Sequence, residues 1–335
     1  MIELNGIRLR NRVVTSASLA GYGARPANRL APYGLSPIAQ ALALDRIGAV
    51  TTRTLTLDPR EGHFTTRTDW RLRDWPALLR RYSGALRRID AGWLNAFGWC
   101  NIGIEAYFRD YFPRTGAQNR IVSLGGFSVD EFRRLVEIVN ERAPAGSIAA
   151  VELNVSCPNV SFGFHSILED VLREAVPASV HPVLLKLSPD SDYVATARLA
   201  EECGIAALTA INTVRGLRLD PRTGEPLLNN RYGGMSGRAI KPIALRVVSE
   251  LREAGITLPI VASGGIRDFD DAREFFWAGA DAISLGSEAF LASYPGYLAS
   301  PLHARRRLRL VERIERWEQS GEWMPSPLAR VTLAQ

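Results

Sequence analysis

The sequence predicts an α/β fold, a (β/α)8 TIM barrel with insertions at its C-terminal face, on three observations. Apolar, β-branched runs alternate with amphipathic segments along nearly the whole chain; the strand-like runs number eight; and polar residues or glycines stand where most of those runs end. Such alternation implies parallel strands joined by crossover helices. Eight units favour a closed barrel, with a doubly wound open sheet as the second reading. The 335 residues fit one barrel domain with insertions, so a single domain over 1–335 is expected.

The runs lie near 12–17, 49–53, 120–124, 148–155, 182–188, 206–212, 259–263 and 281–286. Each is short and carries apolar and β-branched residues, although the second, Ala49 to Arg53, is more polar than the rest. Helical spacing fills most gaps, from Pro37 to Ile47, Val129 to Arg142, Tyr193 to Cys203, Pro242 to Ala254 and Phe269 to Ala278, several ending at or near a glycine. Two connections, about 54–118 and 213–237, are too long for simple loops. Both follow strands, so they are expected to cover a pocket on the face where barrels build their sites.

Composition narrows the function classes. With 46% hydrophobic and 23% charged residues the chain reads as soluble and globular. Met1 to Gly6 lacks the basic-then-apolar pattern of a signal peptide, and no apolar run reaches the ~20 residues of a membrane span, so a cytoplasmic protein is expected. Cys100, Cys157 and Cys203 form no CxxC pair, which argues against zinc, a disulfide framework or an iron–sulfur cluster held by this chain alone, and no metal site is expected. The net charge of +6 is modest for nucleic-acid binding. Part of it lies in Arg305-Arg306-Arg307-Leu308-Arg309, followed by Glu312, Glu315 and Glu318, which reads as a solvated helix face.

The strand ends carry the chemistry. The first run meets Ser16-Ala17-Ser18, the second Arg53-Thr54, the sixth Asn212-Thr213. The fourth runs into Asn154-Val155-Ser156-Cys157-Pro158-Asn159, a loop that crowds a thiol between amides able to orient carbonyl or imide groups. A positioned acid/base is one reading of Cys157, and a small buried hydrophobe is the other. In the fifth run Lys186 interrupts Val183-Leu184-Leu185, where an ammonium needs an anion: a neighbouring carboxylate, or a cofactor that accumulates negative charge. The last two runs end in Ser263-Gly264-Gly265 and Leu285-Gly286-Ser287, placed where barrels bind phosphate through backbone N–H groups. No GxGxxG follows an early strand, so a mononucleotide fits better than a dinucleotide.

Taken in order from about residue 5 to residue 292, Asn154 to Val160, Leu185-Lys186-Leu187, Ile211-Asn212-Thr213, Gly233 to Pro242, Ser263 to Ile266 and Leu285-Gly286-Ser287 resemble the dihydroorotate dehydrogenases, which are FMN-dependent β/α barrels. Cysteine in the loop is similar to the soluble class 1 enzymes, whereas the membrane-associated class carries serine there. The resemblance implies oxidation of dihydroorotate or a related dihydropyrimidine, with Cys157 as the base and FMN taking the hydride. It implies a substrate site of Arg53, Asn95, Phe97, Gly98, Trp99, Asn154, Asn159, Asn212 and Thr213. For the flavin it implies Ser16, Ala17, Ser18, Arg53, Asn154, Lys186 and Asn212, with Gly237, Gly264, Gly265, Gly286 and Ser287 at its phosphate. A homodimer is implied, and the stretch from Asn212 to Pro242 is most similar to the subclass that passes electrons to a separate iron–sulfur flavoprotein subunit.

Two positions depart from the family pattern. A family lysine at the end of the second strand is replaced by Arg53, a larger planar fork. Trp99 stands where a small aliphatic is usual. Either Trp99 packs the lid and Arg53 pairs locally, or the two reshape the pocket on the substrate side, with the substrate carboxylate placed differently or absent. Three other readings are weighed: an FMN reductase of another conjugated C=C, a dihydrouridine synthase-like enzyme acting on RNA, and a non-catalytic flavin binder. A flavin-free aldolase would leave the Cys157 loop unexplained.

Overall fold

The computed structural model describes residues 1–17, 44, 46–63, 84–114, 119–159, 166–290 and 301–322. Among them eight parallel strands run β3 (Val13–Thr15), β4 (Val50–Thr51), β7 (Arg120–Leu124), β8 (Ala150–Leu153), β9 (Val183–Lys186), β10 (Ala207–Ala210), β13 (Ile260–Ser263) and β14 (Ala282–Leu285), in the spatial order β3-β14-β13-β10-β9-β8-β7-β4. The ring closes where Val14 bridges Ala49, with the Gly48 N–H on the Val13 carbonyl (2.7 Å) and the Thr15 N–H on the Ala49 carbonyl (3.1 Å). The fold is therefore the expected (β/α)8 TIM barrel. Each predicted strand is present, and all but Arg120–Leu124 are shorter than their runs, whose polar ends mostly leave the ladder to line the cleft.

A hairpin of β1 (Ile2–Leu4) and β2 (Ile7–Leu9) plugs the N-terminal end of the barrel. Its turn, Asn5-Gly6, has φ of 45° and 85°, the geometry that matches strand twist in two-residue hairpins. Leu4, Ile7 and Leu9 pack there on Val14, Ile121, Leu184 and Val261, each buried chain contributing roughly 1.5–3 kcal/mol.

The described helices are α1 (Ile104–Asp110), α2 (Val129–Arg142), α3 (Leu168–Ala178), α4 (Tyr193–Glu202), α5 (Lys241–Glu253), α6 (Phe269–Ala278), α7 (Ser287–Phe290) and α8 (Pro301–Gln319). α2 and α6 keep the predicted ends because local chemistry sets them. Ser128 Oγ accepts from the Glu131 N–H at the start of α2, while Asp268 and Asp271 form a reciprocal capping box on α6, which stops at Gly279 with φ 113°. The predicted helix from Pro37 to Ile47 falls almost wholly outside the described residues.

The C-terminal stretch corrects the solvated-face expectation. Leu310, Val311, Ile314 and Trp317 of α8 are buried, Trp317 lying edge-on to Phe269 at 5.8 Å. Arg307 is buried with them, and desolvation pulls its guanidinium down to about 10. The opposite side is wet at Arg309, Glu312, Arg313 and Arg316, whereas Glu315 and Glu318 are half-buried and accept from Asn11 and Arg12. No described helix is long and apolar enough to cross a membrane.

Both long insertions reach the C-terminal face, and they share one sheet. β5 (Leu86–Ile89) and β6 (Gly92–Asn95) form a hairpin in the first; β11 (Val214–Leu217) and β12 (Tyr232–Ser236) form one in the second. β12 then pairs with β6, Gly234 opposite Asn95, giving the order β11-β12-β6-β5.

Candidate active site

One cleft at this face, of about 1000 Å³ counting the part open to solvent, is lined by all the sequence-predicted site residues that are described. Ser16, Ala17, Arg53, Asn95, Phe97, Gly98, Trp99, Asn154, Cys157, Asn159, Lys186, Asn212, Thr213, Gly237, Gly264, Gly265, Gly286 and Ser287 converge from positions as much as 271 residues apart in sequence, Ser16 against Ser287. Ser18 lies outside the described residues.

The amides are oriented by their partners. Asn95 Nδ2 donates to the Gly234 carbonyl (2.8 Å), so its Oδ1 is the oxygen that accepts from Asn159 Nδ2 (3.0 Å). That leaves Asn159 Oδ1 buried with no hydrogen-bond partner among the described residues. An orphan acceptor in a ligand-sized cleft calls for an N–H from the ligand. On the other side the Thr213 N–H donates to Asn212 Oδ1 (2.8 Å), turning Asn212 Nδ2 toward Asn154 Oδ1 and Ser156 Oγ, both at 3.1 Å.

Below the cleft the barrel interior is polar. Glu152, 3% exposed, accepts from Ser123 Oγ and Thr209 Oγ1, each at 2.9 Å, and Ser123 Oγ meets Thr54 Oγ1 at 3.1 Å. Thr54 Oγ1 in turn accepts from Asn154 Nδ2 (2.8 Å), so the chain of contacts runs from the interior carboxylate to the cleft floor. Lys186 stands beside this chain, 6% exposed, yet among the described residues it forms no ion pair. The neighbouring-carboxylate reading of Lys186 is thus not what the structure contains, and its ammonium fits an anionic ligand edge.

The far end of the cleft is built of glycine turns. Gly237 and Gly265 have φ of 90° and 74°, and a Cβ on Gly265 would stand 2.8 Å from the Gly237 carbonyl oxygen. Ser16 Oγ lies 2.8 Å from Ser284 Oγ and 3.1 Å from Ser263 Oγ, and a Cβ on Gly286 would come 3.3 Å from it. Bare backbone and hydroxyls in a concavity suit a phosphate.

The two departures form the opposite wall. Arg53 Nε donates to the Cys100 carbonyl (2.9 Å), with its guanidinium carbon 5.9 Å from the centre of the Phe97 ring. Gly98 and Trp99 both have positive φ, 61° and 55°, a tight turn that sets the Trp99 ring edge-on to Phe127 at 5.5 Å. Trp99 therefore both packs and lines the cleft. Sequence reasoning missed Cys100, Ser263 and Ser236 as lining residues. It also missed His63, whose Nε2–H donates to the Asn159 carbonyl at 2.7 Å. Ser263 could have been found, being one residue before a singled-out glycine pair; nothing in the chain pattern marks His63.

Fold and cleft define a (β/α)8-barrel enzyme with an amide-and-thiol pocket facing a cradle of glycine turns. The comparisons give the family: the model described as dihydroorotate dehydrogenase matches residues 36–296, and the chain belongs to that family. It is 34% identical over 304 residues to dihydroorotate dehydrogenase A (fumarate) of Limosilactobacillus reuteri, covering 86% of this chain and 87% of the relative. It is also 34% identical over 302 residues to the catalytic subunit of dihydroorotate dehydrogenase B (NAD(+)) of Anoxybacillus flavithermus, covering 88% and 86%. A solved structure of DHODH from Eimeria tenella in complex with ferulenol shares the fold at TM-score 0.65 and 18% identity, over 98% of this chain and 86% of that one.

Proposed function

We propose that the chain is an FMN-dependent dehydrogenase that oxidises dihydroorotate, or a closely related dihydropyrimidine, to its conjugated product. The observation that carries the reading is the orphan Asn159 Oδ1: a cyclic amide N–H is the partner it lacks, and a planar pyrimidine bears such groups on its edge. Family membership supports the same substrate class.

When bound, FMN supplies the hydride acceptor. The chain's own residues do the rest. Asn95, Asn154, Asn159 and Asn212 hold and orient the ring edges, and Arg53 offers a cationic fork for an anionic substituent. Cys157 takes a proton at Sγ from the carbon next to the substrate carbonyl and returns one in the reverse direction; an ordinary thiol, with pKa about 8.5, is mostly protonated at neutral pH and needs its neighbours to favour thiolate. Lys186, which lines the cleft, would sit by the flavin ring and balance negative charge that gathers there. Gly237, Gly264, Gly265, Gly286 and Ser287 would receive its phosphate, beside Ser16 and Ala17.

The resemblance of Asn212 to Pro242 supports electron delivery to a separate flavoprotein subunit from a homodimeric barrel; turnover with fumarate as sole acceptor would refute the first, and a monomeric mass in solution the second. The central test is spectroscopic. Purified protein should carry a flavin spectrum that dihydroorotate bleaches without oxygen. Colourless protein that takes up no FMN sinks the cofactor reading; bleaching by another dihydropyrimidine but not by dihydroorotate reassigns the substrate to the Arg53 and Trp99 wall.

A further inference from the structure

We propose that Glu152 is the counter-charge of Lys186: a buried carboxylate that opposes negative charge gathering on a ligand above it, and so sets how readily the bound cofactor is reduced. The inference rests on the cofactor reading above.

In the barrel β9 lies between β8 and β10. Glu152 on β8 nevertheless accepts from Thr209 Oγ1 on β10 at 2.9 Å, so its carboxylate lies across the interior face of β9. On that face Leu184 stands opposite Glu152 and Lys186 opposite Thr209, which places the carboxylate at the foot of the lysine side chain. From β7, Ser123 Oγ holds the other carboxylate oxygen at 2.9 Å. The two buried charges do not touch. Neither forms an ion pair among the described residues, and Lys186 lines the cleft while Glu152 lies beneath it. Arg120, another buried cation of these strands, is three residues from Ser123 on β7 and so points to the opposite face, toward Tyr107. Among the described strand residues, the interior beneath the cleft therefore holds one carboxylate and one ammonium.

A buried charge is tolerated when an opposite charge balances it. Lys186 balances Glu152 inside the barrel, and a ligand that becomes anionic competes for the same ammonium. A flavin ring that takes up a hydride gains one negative charge. Glu152 precedes Asn154 on the same strand face by two residues, about 7 Å at the usual strand rise. A ring in contact with Asn154 on the cleft floor is then about 10 Å from the carboxylate. At an effective dielectric of about 20, a unit charge at that distance shifts an equilibrium roughly fifteenfold. Lys186 favours the reduced ring, and Glu152 opposes it.

The test measures the midpoint potential of the bound flavin against a reference dye, for wild type and Glu152→Gln, with flavin content and thermal midpoints recorded. Glutamine keeps the shape and an acceptor oxygen while removing the charge. The expected result is a reduced flavin favoured roughly fifteenfold more, which for a two-electron couple is a potential higher by about 35 mV. A shift of less than twofold, or one toward the oxidised flavin, overturns the proposal, as would follow if Glu152 served packing alone. Lys186→Met and the double variant give a second reading in cofactor-free protein. Without Lys186 the carboxylate is uncompensated, so Lys186→Met should lower the thermal midpoint and adding Glu152→Gln should restore part of it. That cycle decides if Glu152→Gln alone does not fold, or if wild type takes up no FMN and the cofactor reading fails. Recovery in the double variant then upholds the counter-charge, and purely additive effects overturn it.

Discussion

Replacing Asn159 with alanine probes the substrate pocket at the atom on which the functional reading depends. The Gly234 carbonyl fixes the Asn95 amide, Asn95 Oδ1 fixes the Asn159 amide, and Asn159 Oδ1 is left buried and unsatisfied. Alanine removes that acceptor, so a ring N–H entering the pocket is desolvated without compensation. An unpaired buried donor costs about 1–3 kcal/mol, or about 5- to 150-fold in ligand affinity. The same change deletes the 3.0 Å bond to Asn95, which is worth only about 1 kcal/mol of stability because protein–water bonds replace it. The assay is an anaerobic titration of the oxidised holoenzyme with orotate, read through the flavin absorbance, alongside kcat/KM for dihydroorotate. Flavin content should match wild type, and the orotate Kd should rise at least fivefold. A folded variant whose Kd stays within twofold of wild type would show that Asn159 Oδ1 meets no ligand donor.

Three further outcomes are expected. Cys157→Ala should keep its flavin while losing about 10²- to 10⁴-fold in the rate of bleaching by dihydroorotate, the usual range for a general base; an undiminished rate removes Cys157 from the proton transfer. Gly265→Ala forces a side chain into φ 74°, at about 1–2 kcal/mol, and sets its Cβ 2.8 Å from the Gly237 carbonyl, so the protein should purify with most of its flavin lost, and full occupancy would contradict the cradle. His181 is buried, donates its Nε2–H to the Ala143 carbonyl at 3.0 Å, and is held below its ordinary value of 6.5 by desolvation. Because the unfolded chain then binds the extra proton first, its contribution to stability is full above about pH 6.5 and is lost as the pH falls. Urea midpoints from pH 7.5 to 5 should decline less steeply for His181→Gln than for wild type, and parallel declines would rule His181 out.

The barrel was legible because buried parallel strands are mostly apolar, and eight such runs keep their spacing in the sequence even though Ser123, Glu152, Lys186 and Thr209 interrupt them. The cleft was legible wherever a polar residue broke a run, as at Lys186, Asn154 and Asn212. Contacts made between insertions left no such mark. His63 reaches the Asn159 carbonyl from 96 residues away, and Glu288 reaches the Arg238 N–H from 50. Neither pair has a period, a motif or a charge pattern to announce it. The wet reading of the C-terminal helix failed for a related reason: its Arg and Glu positions were weighed, while Leu310, Val311, Ile314 and Trp317, at the same helical spacing, bury the opposite face.

Recognition in this pocket is set by backbone as much as by side chains. The two amide pairs take their polarity from the second insertion: the Thr213 N–H turns Asn212 and through it Asn154, and the Gly234 carbonyl turns Asn95 and through it Asn159. Thr213 adjoins β11 and Gly234 lies within β12, so the pattern of donors and acceptors offered to a ligand depends on the register Val214 opposite Met235 and Gly234 opposite Asn95. A shift of one residue would put every side chain of the strand on the wrong face. Gly233 and Gly234 lock that register by size, since a Cβ on Gly233 would lie 2.5 Å from the Asn95 carbonyl oxygen and one on Gly234 would lie 2.2 Å from Thr213 Oγ1. The four-stranded sheet above the barrel is for that reason part of the recognition machinery: widening either glycine should disorder the amides first and the barrel not at all, which separates ligand affinity from stability within a single hairpin.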